Sequence, residues 1–283
     1  MQRRSPMQAT IHGISLAYDD FGAGPAVVLV HGFPLDRRMW QPQTAELVRS
    51  GYRVIVPDLR GFGESQVPAK GWTLGHLAAD LVALLGYLGI GRAAFCGFGM
   101  GGSILLQLLE KHPDKVAGAC FVSSRVRTDD ILEKVRRSEL VDKLAAGNRE
   151  EVLAVLSSEL LGEGGGTRRP ELAATLREWL ELVDTRSLIW GLQAIRDRKD
   201  HSLGIREFFQ PTLVISGDRD TLVNPEHGEQ LAKGVPLGIG LEFAETGHLV
   251  NLEQPEQFNA CLLDFLGDIR QKRRKRVELK DVA

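Results

Sequence analysis

The sequence predicts an α/β fold: a mostly parallel sheet with helices on both faces and a helical insert in the second half of the chain. Three observations predict it. Short runs that are apolar throughout, such as those in "PAVVLVHGFP" and "AAFCG", lead directly into glycine-rich or charged loops. Segments with helical spacing alternate with these runs. The texture then changes between residue 125 and about residue 207, where helical patterns leave hardly a strand.

The elements follow in order. "ATIHGISLAYDD" places Gly13 between two short runs and predicts a β-hairpin. "PAVVLVHGFP" is apolar on both faces, as expected of a strand inside a covered parallel sheet. "YRVIVPDLRGFGES" is another strand, with a loop that carries Asp58, Arg60, Gly61, Gly63 and Ser65, the last expected to cap a helix. Between Thr73 and Leu88, Leu74, Leu77, Ala78, Leu81, Val82 and Leu85 mark one buried helical face. "AAFCG" is the next strand, Met100 to Lys111 the next helix, stopped by Pro113, and "VAGACFVSS" the strand after it. In the insert, "DDILEKVRRSELVDKLAAG", "REEVLAVLSSELL" and "PELAATLREWLELV" read as helices, and "GEGGGTRRP", Gly162 to Pro170, as a flexible linker. The alternation resumes with "PTLVISGD", a helix near Pro225 to Lys233, a strand near Leu241 to Phe243, and a helix from Glu256 to Arg270. Eight strands result, with the chain divided as 1–124 core, 125–207 insert, 208–270 core and 271–283 basic tail.

Composition narrows the function. With 43% hydrophobic and 25% charged residues, the 283-residue chain can build an ordinary core. A formal charge of -2 gives no overall attraction to nucleic acid or anionic membrane. No apolar run approaches the roughly 18 residues of a membrane span, and "MQRRSPMQAT" has no apolar segment typical of a secretory signal. Cys96, Cys120 and Cys261 are odd in number, far apart and set in apolar segments, so they are expected to be reduced core residues of a cytoplasmic protein. "RQKRRKR", Arg270 to Arg276, is expected to be a solvated tail. No metal spacing and no dinucleotide fingerprint is present, so neither metal nor organic cofactor is expected.

Four loops carry the chemistry: "HGFP", His31 to Pro34; "GFGMG", Gly97 to Gly101; "SGDRDTLVNP", with Asp218 and Asp220; and "ETGHLVNLEQP", with His248. All are expected beyond the carboxyl ends of strands, where ligands bind in such sheets. "FCGFGMGGS" has the strand–turn–helix layout of a G-x-S-x-G nucleophile elbow, but Gly99 stands where that motif has serine. The order elbow, acid, histidine is that of α/β-hydrolases.

On these loops, together with "HGFPLDRRMWQPQ", "DLRGFGES" and "GHLVNLEQPEQF", the chain resembles an α/β-hydrolase over roughly Thr10 to Arg270. It is similar to the lid-bearing group of 3-oxoadipate enol-lactonases, small esterases and non-haem haloperoxidases. The resemblance implies that Asp220 is the acid, with Asp218 the competing choice, and that His248 is the general base. It implies that the N–H groups of Phe33 and Met100 form an oxyanion hole and that the insert is a lid. It assigns His31 to shaping its loop. The nucleophile does not carry over to Gly99; Ser103 is expected to point along its packed helix, and Cys96 lies within its strand. Gly32, Trp40, Phe98 and Trp190 are expected around the pocket, with Trp179 and Leu192 also candidates, or else packing the lid onto the core. A small apolar ester, lactone or related substrate is expected, with no nucleic acid and no membrane. Three readings stay open: a serine hydrolase without its nucleophile, a non-covalent general-base enzyme using Asp220 and His248, and a binding protein on a hydrolase scaffold.

Overall fold

The computed structural model describes residues 7–278 except residue 163, with side chains described to residue 271. Eight strands form one sheet: β1 (Met7–Ile11), β2 (Ile14–Phe21), β3 (Ala26–Val30), β4 (Arg53–Pro57), β5 (Ala93–Phe98), β6 (Val116–Val122), β7 (Thr212–Gly217) and β8 (Gly238–Phe243). Their order is β1-β2-β4-β3-β5-β6-β7-β8. β1 and β2 pair as a hairpin, β2 meets β4 antiparallel, and the rest are parallel. Val27, Val28, Leu29 and Val30 are all buried, because a central parallel strand is covered on both faces.

Between strands lie α1 (Gln41–Arg49), α2 (Leu74–Tyr87) and α3 (Met100–Lys111). Thr73 caps α2 by accepting the His76 N–H. The insert between β6 and β7 holds α4 (Ile131–Ala145), α5 (Arg149–Leu161), α6 (Gly165–Arg168), α7 (Pro170–Glu181) and α8 (Thr185–Arg196). Asp130 and Glu133 form a reciprocal capping box that starts α4. The core closes with α9 (Pro225–Gly234), α10 (Val250–Glu253) and α11 (Pro255–Glu278). Helices α2 and α3 pack together, as do α1 and α11.

The sheet order fixes where a site can form. β3 lies between β4 and β5, so the connection from β3 to β4 runs one way along the sheet and the connection from β4 to β5 runs back past β3. A crevice opens at the carboxyl ends of β3 and β5, the usual place for a ligand in an open α/β sheet. "HGFP" follows β3 and "GFGMG" ends β5, so these two loops face each other across it.

Three local expectations need correction. Ser65 caps no helix: it is buried, its Oγ accepting from the Ala17 N–H at 2.8 Å and donating to the Asp58 carbonyl at 2.7 Å. The glycine-rich stretch after α5 contains the helical turn α6, and Pro170 opens α7, a position where proline's missing N–H costs nothing. Helix α11 continues through the basic run to Glu278, because Lys, Arg and Gln are good helix formers. The side chains of that run beyond Gln271, like "MQRRSP" at the start, lie outside the described residues. Cys96 and Cys120 are buried, half-way along β5 and β6, and Cys261 is partly buried on α11; all three are free thiols. Among the described residues, no helix is long and apolar enough to cross a membrane.

Candidate active site

The turn from β5 into α3 is built by close backbone contact. A Cβ on Gly101 would lie 2.3 Å from the Val30 carbonyl oxygen, and one on Gly97 would lie 2.5 Å from that of Gly101. Only glycine lets β3, β5 and α3 approach so closely. Gly99 differs: it has φ +51° and ψ -108°, and the nearest atom to a Cβ there is His248 Nε2, at 3.7 Å. Space is open at Gly99; what restricts a side chain is the backbone conformation, which costs non-glycine residues about 1–3 kcal/mol. Gly99 donates its N–H to the Val122 carbonyl at 2.9 Å and forms the N-terminal cap of α3. The first amides of a helix have no intrahelical acceptor and carry the positive end of its dipole. The Met100 N–H is one of these.

His31 is a structural residue. It is fully buried; Nδ1 donates to the Gly32 carbonyl at 2.9 Å and Nε2 accepts the Leu59 N–H at 2.9 Å. Burial pulls its pKa down to about 4, so the ring is neutral near pH 7. Both ring nitrogens are engaged in holding the "HGFP" loop against the loop after β4.

On the other side, Asp220 and His248 come together. His248 Nδ1 donates to Asp220 Oδ2 at 2.8 Å, and both side chains are buried. Asp220 Oδ1 accepts the N–H groups of Leu222 and Val223, at 2.9 and 2.8 Å, so the carboxylate is held in one orientation. Asp218 is instead exposed and accepts the Thr246 N–H at 3.0 Å. With Nδ1 donating, Nε2 is the ring atom left to take a proton, and it faces Gly99. The Phe98 ring stands edge-on to the imidazole, with centroids 4.8 Å apart.

Sequence reasoning missed two supports of this histidine. Ser123, just past β6, has a positive φ of 45° and donates its Oγ to the His248 carbonyl at 2.7 Å. Glu253 accepts the N–H groups of Gly247 and Leu249, at 3.0 and 3.1 Å, and so brackets His248 from both sides. Both lie inside quoted motifs, "VAGACFVSS" and "GHLVNLEQP", but nothing in their spacing shows which backbone groups they reach.

A cavity of about 70 Å³, room for a handful of waters, lies in front of these groups. Its floor is Phe33, Pro34, Gly99, Met100 and His248, with the buried Ser103 also in the lining. No hydrogen bond joins Ser103 to His248 among the described residues. Leu156, Leu160 and Ile195 reach it from the insert. Gly32, Trp40, Phe98 and Trp190, expected around the pocket, are not in its lining, and each is engaged in packing. Trp40 is fully buried against Phe258. The Phe98 ring packs over Gly32, where a Cβ would come within 2.5 Å of it. The Trp190 ring covers Gly71, at 3.1 Å from where a Cβ would be. Leu192 is in the core, and Trp179 lies under the Arg38 guanidinium.

The lining instead includes Arg125, Arg137, Arg198 and Glu159. Behind them sits Asp129, whose carboxylate pairs with Arg125 and Arg198 at 3.0 and 2.7 Å and with Arg137 Nε. Burial alone would raise Asp129, but the hydrogen bond from Arg137 and the charges of Arg198 and Arg125 hold it below the usual carboxylate range. Burial lowers Arg198 to about 10, partly opposed by Asp129, so it stays protonated at neutral pH. These arginines stand far apart in sequence and meet because α4 packs along α8.

A single sheet with this strand order and a buried acid–histidine pair beyond its carboxyl ends defines a class of hydrolase-like proteins. The chain belongs to the alpha/beta hydrolase fold family, which it matches over residues 25–255. It is 27% identical over 265 residues to the AB hydrolase superfamily protein YisY of Bacillus subtilis, covering 89% of this chain and 95% of that protein. Among solved structures, it resembles an esterase from Thermogutta terrifontis, with a TM-score of 0.86, 31% identity, and 94% and 99% of the two chains covered. The enol-lactonase of Burkholderia xenovorans LB400 gives a TM-score of 0.85 at 27% identity, with 92% and 100% covered.

Proposed function

We propose that this is an ester- or lactone-hydrolase site that has lost its covalent nucleophile and kept the rest of its machinery. One observation carries the reading: a Cβ at Gly99 would lie 3.7 Å from His248 Nε2, whose opposite nitrogen is held by Asp220. A hydroxyl on that Cβ falls within the hydrogen-bonding reach, about 2.6–3.2 Å, that a serine–histidine pair needs. Glycine offers no such oxygen, so no acyl-enzyme forms. The esterase and enol-lactonase among the solved relatives support an ester or lactone as the substrate class.

What remains can still perform acid–base chemistry. A water above Gly99 would give a proton to His248 Nε2 and attack the carbonyl carbon. The carbonyl oxygen would gain charge and accept from the Phe33 and Met100 N–H groups. As the intermediate collapses, His248 would return the proton to the leaving alkoxide. The insert would act as a lid that keeps bulk water away. Catalysis without the nucleophile amounts to roughly 10³–10⁴-fold over water in serine proteases, against losses near 10⁶ in turnover.

The test compares the protein with its Gly99→Ser variant on short p-nitrophenyl esters and simple lactones. We expect a gain of a thousandfold or more, abolished by adding His248→Ala, and His248-dependent traces in the unaltered protein. No gain from the serine would sink the reading. Tight ligand binding in its place would then indicate recognition on a hydrolase scaffold.

A further inference from the structure

We propose that the cavity binds a ligand carrying a free carboxylate besides its ester or lactone carbonyl, and that Arg137 is the residue that holds it. The proposal rests on the hydrolase-site reading for the carbonyl end only. The other end rests on the arginine cluster.

The hydrogen bonds show which arginine is available. Arg198 is used up: Nε and Nη2 donate to the Arg127 carbonyl at 3.2 and 3.1 Å, Nη1 to the Ile195 carbonyl at 3.2 Å, and Nη2 also to Asp129. Arg125 divides its terminal nitrogens between Asp129 and Glu133, the latter at 2.6 Å. Arg137 gives only Nε to Asp129; its two terminal nitrogens have no protein acceptor among the described residues, and the residue lines the cavity. Glu159, the one acid in the lining, is engaged by Arg136 at 2.5 Å.

The charges point the same way. Arg125, Arg136, Arg137 and Arg198 face Asp129, Glu133 and Glu159, four positive charges against three negative. The unmatched charge sits in a partly buried, low-dielectric wall, where an ion pair is stronger than in water. Asp129 fixes Arg137 through Nε and leaves its planar end free. That is the preorganised fork that grips a carboxylate through two parallel hydrogen bonds. An apolar wall would have suited a neutral ester; this one favours a half-ester or an acid-bearing lactone.

The experiment is calorimetry of the full chain with monomethyl succinate, glutarate and adipate, each against its dimethyl ester at fixed salt. At one chain length or more, the half-ester should bind at least about tenfold more tightly, the effect of one charge-assisted contact. Arg137→Gln should remove the preference by weakening half-ester binding about tenfold more than diester binding; Arg137→Lys should retain part of it. Thermal melts of both variants check that they fold. Equal binding of half-esters and diesters at every length, no half-ester binding at all, or a preference that survives Arg137→Gln overturns the proposal. The carbonyl-end reading is tested separately by Gly99→Ser on neutral esters. Activity there without a half-ester preference removes the anion site alone, whereas a preference without activity leaves it standing.

Discussion

The floor and the wall of the cavity are built by different rules. The floor comes from loops at strand ends: Phe33 after β3, Gly99 and Met100 after β5, and His248 before α10. Hydrogen bonds within or between neighbouring loops hold its groups, as Asp220 holds His248 and the Gly32 and Leu59 backbones hold His31. The polar wall comes from the start of the insert, α4 and the end of α8, and is held by one buried carboxylate, Asp129, shared among three arginines. The floor therefore has room for a small side chain to be added or left out at Gly99 without contact closer than 3.7 Å to its neighbours. The wall differs: its parts hold each other in place. Substitutions in the floor should change chemistry, and substitutions in the wall should change stability and selectivity.

The largest expected effect lies in the floor. In the Gly99→Ser background, Asp220→Asn should cut ester turnover by roughly 10⁴-fold with little change in KM, as losing the orienting carboxylate does in a serine protease triad. Turnover assays on p-nitrophenyl acetate read this directly. A loss below tenfold would mean that His248 is held by Ser123 and Glu253 alone, and that Asp220 is only a loop anchor. Next comes the wall. Asp129→Asn leaves three arginines without their shared counter-charge, and breaking a buried ion network by removing one partner costs about 3–5 kcal/mol. Urea unfolding measures it. A cost under about 1 kcal/mol would show that solvent already compensates these arginines, and would weaken the contrast between the two regions.

The same contrast explains what the sequence made legible. The strands, the glycine turn at Gly97 to Gly101, and the loops of Asp220 and His248 could be read because each is a short contiguous motif whose backbone demands are severe. Gly97 and Gly101 admit no Cβ, and Asp220 must sit two and three residues before the amides it accepts. The wall could not be read. Arg125, Arg137 and Arg198 span the insert and meet only through helix packing; the one local signal is Arg125 and Asp129 at i, i+4. The placing of Trp40, Phe98 and Trp190 around the pocket failed for a related reason. Large rings were available near the mouth in sequence, but Trp40, Phe98 and Trp190 cover Phe258, Gly32 and Gly71. Composition counts aromatic residues; it does not show which neighbour each one covers.

A third prediction concerns pH and the buried His31, which holds the "HGFP" loop that carries Phe33. Burial lowers His31 to about 4 in the folded protein, against about 6.5 in the unfolded chain. Between those values the unfolded state takes up a proton that the fold refuses. His31 therefore supports the fold fully above about pH 6.5 and loses that contribution as pH falls to about 4, in total on the order of 3 kcal/mol. Asp58 acts oppositely: burial raises it to about 6, so its contribution becomes more favourable as pH falls below that value. Comparing unfolding free energies of the protein and His31→Gln from pH 7.5 to 4 isolates the histidine. The variant should have the flatter acid limb. Parallel curves would show that His31 is hydrated or protonated in the fold.

The smallest effect is the strain at Gly99 itself. Its φ of +51° with ψ -108° is costly for any L-residue, while the space beside it is open out to His248 Nε2. Gly99→Ala should therefore lower stability by about 1–2 kcal/mol through backbone strain alone, with no steric clash added. Gly99→Ser bears the same strain but gains a hydrogen bond to His248, worth about 1 kcal/mol. Serine should thus be destabilising, but less so than alanine, and the two melting temperatures should bracket that bond. If alanine leaves the melting temperature unchanged, the turn relaxes at no cost and glycine is not needed for its shape. If serine and alanine are equally destabilising, the hydroxyl does not reach Nε2. The floor would then be misaligned for covalent chemistry even with a serine at position 99, and the gain expected from Gly99→Ser should fail with it.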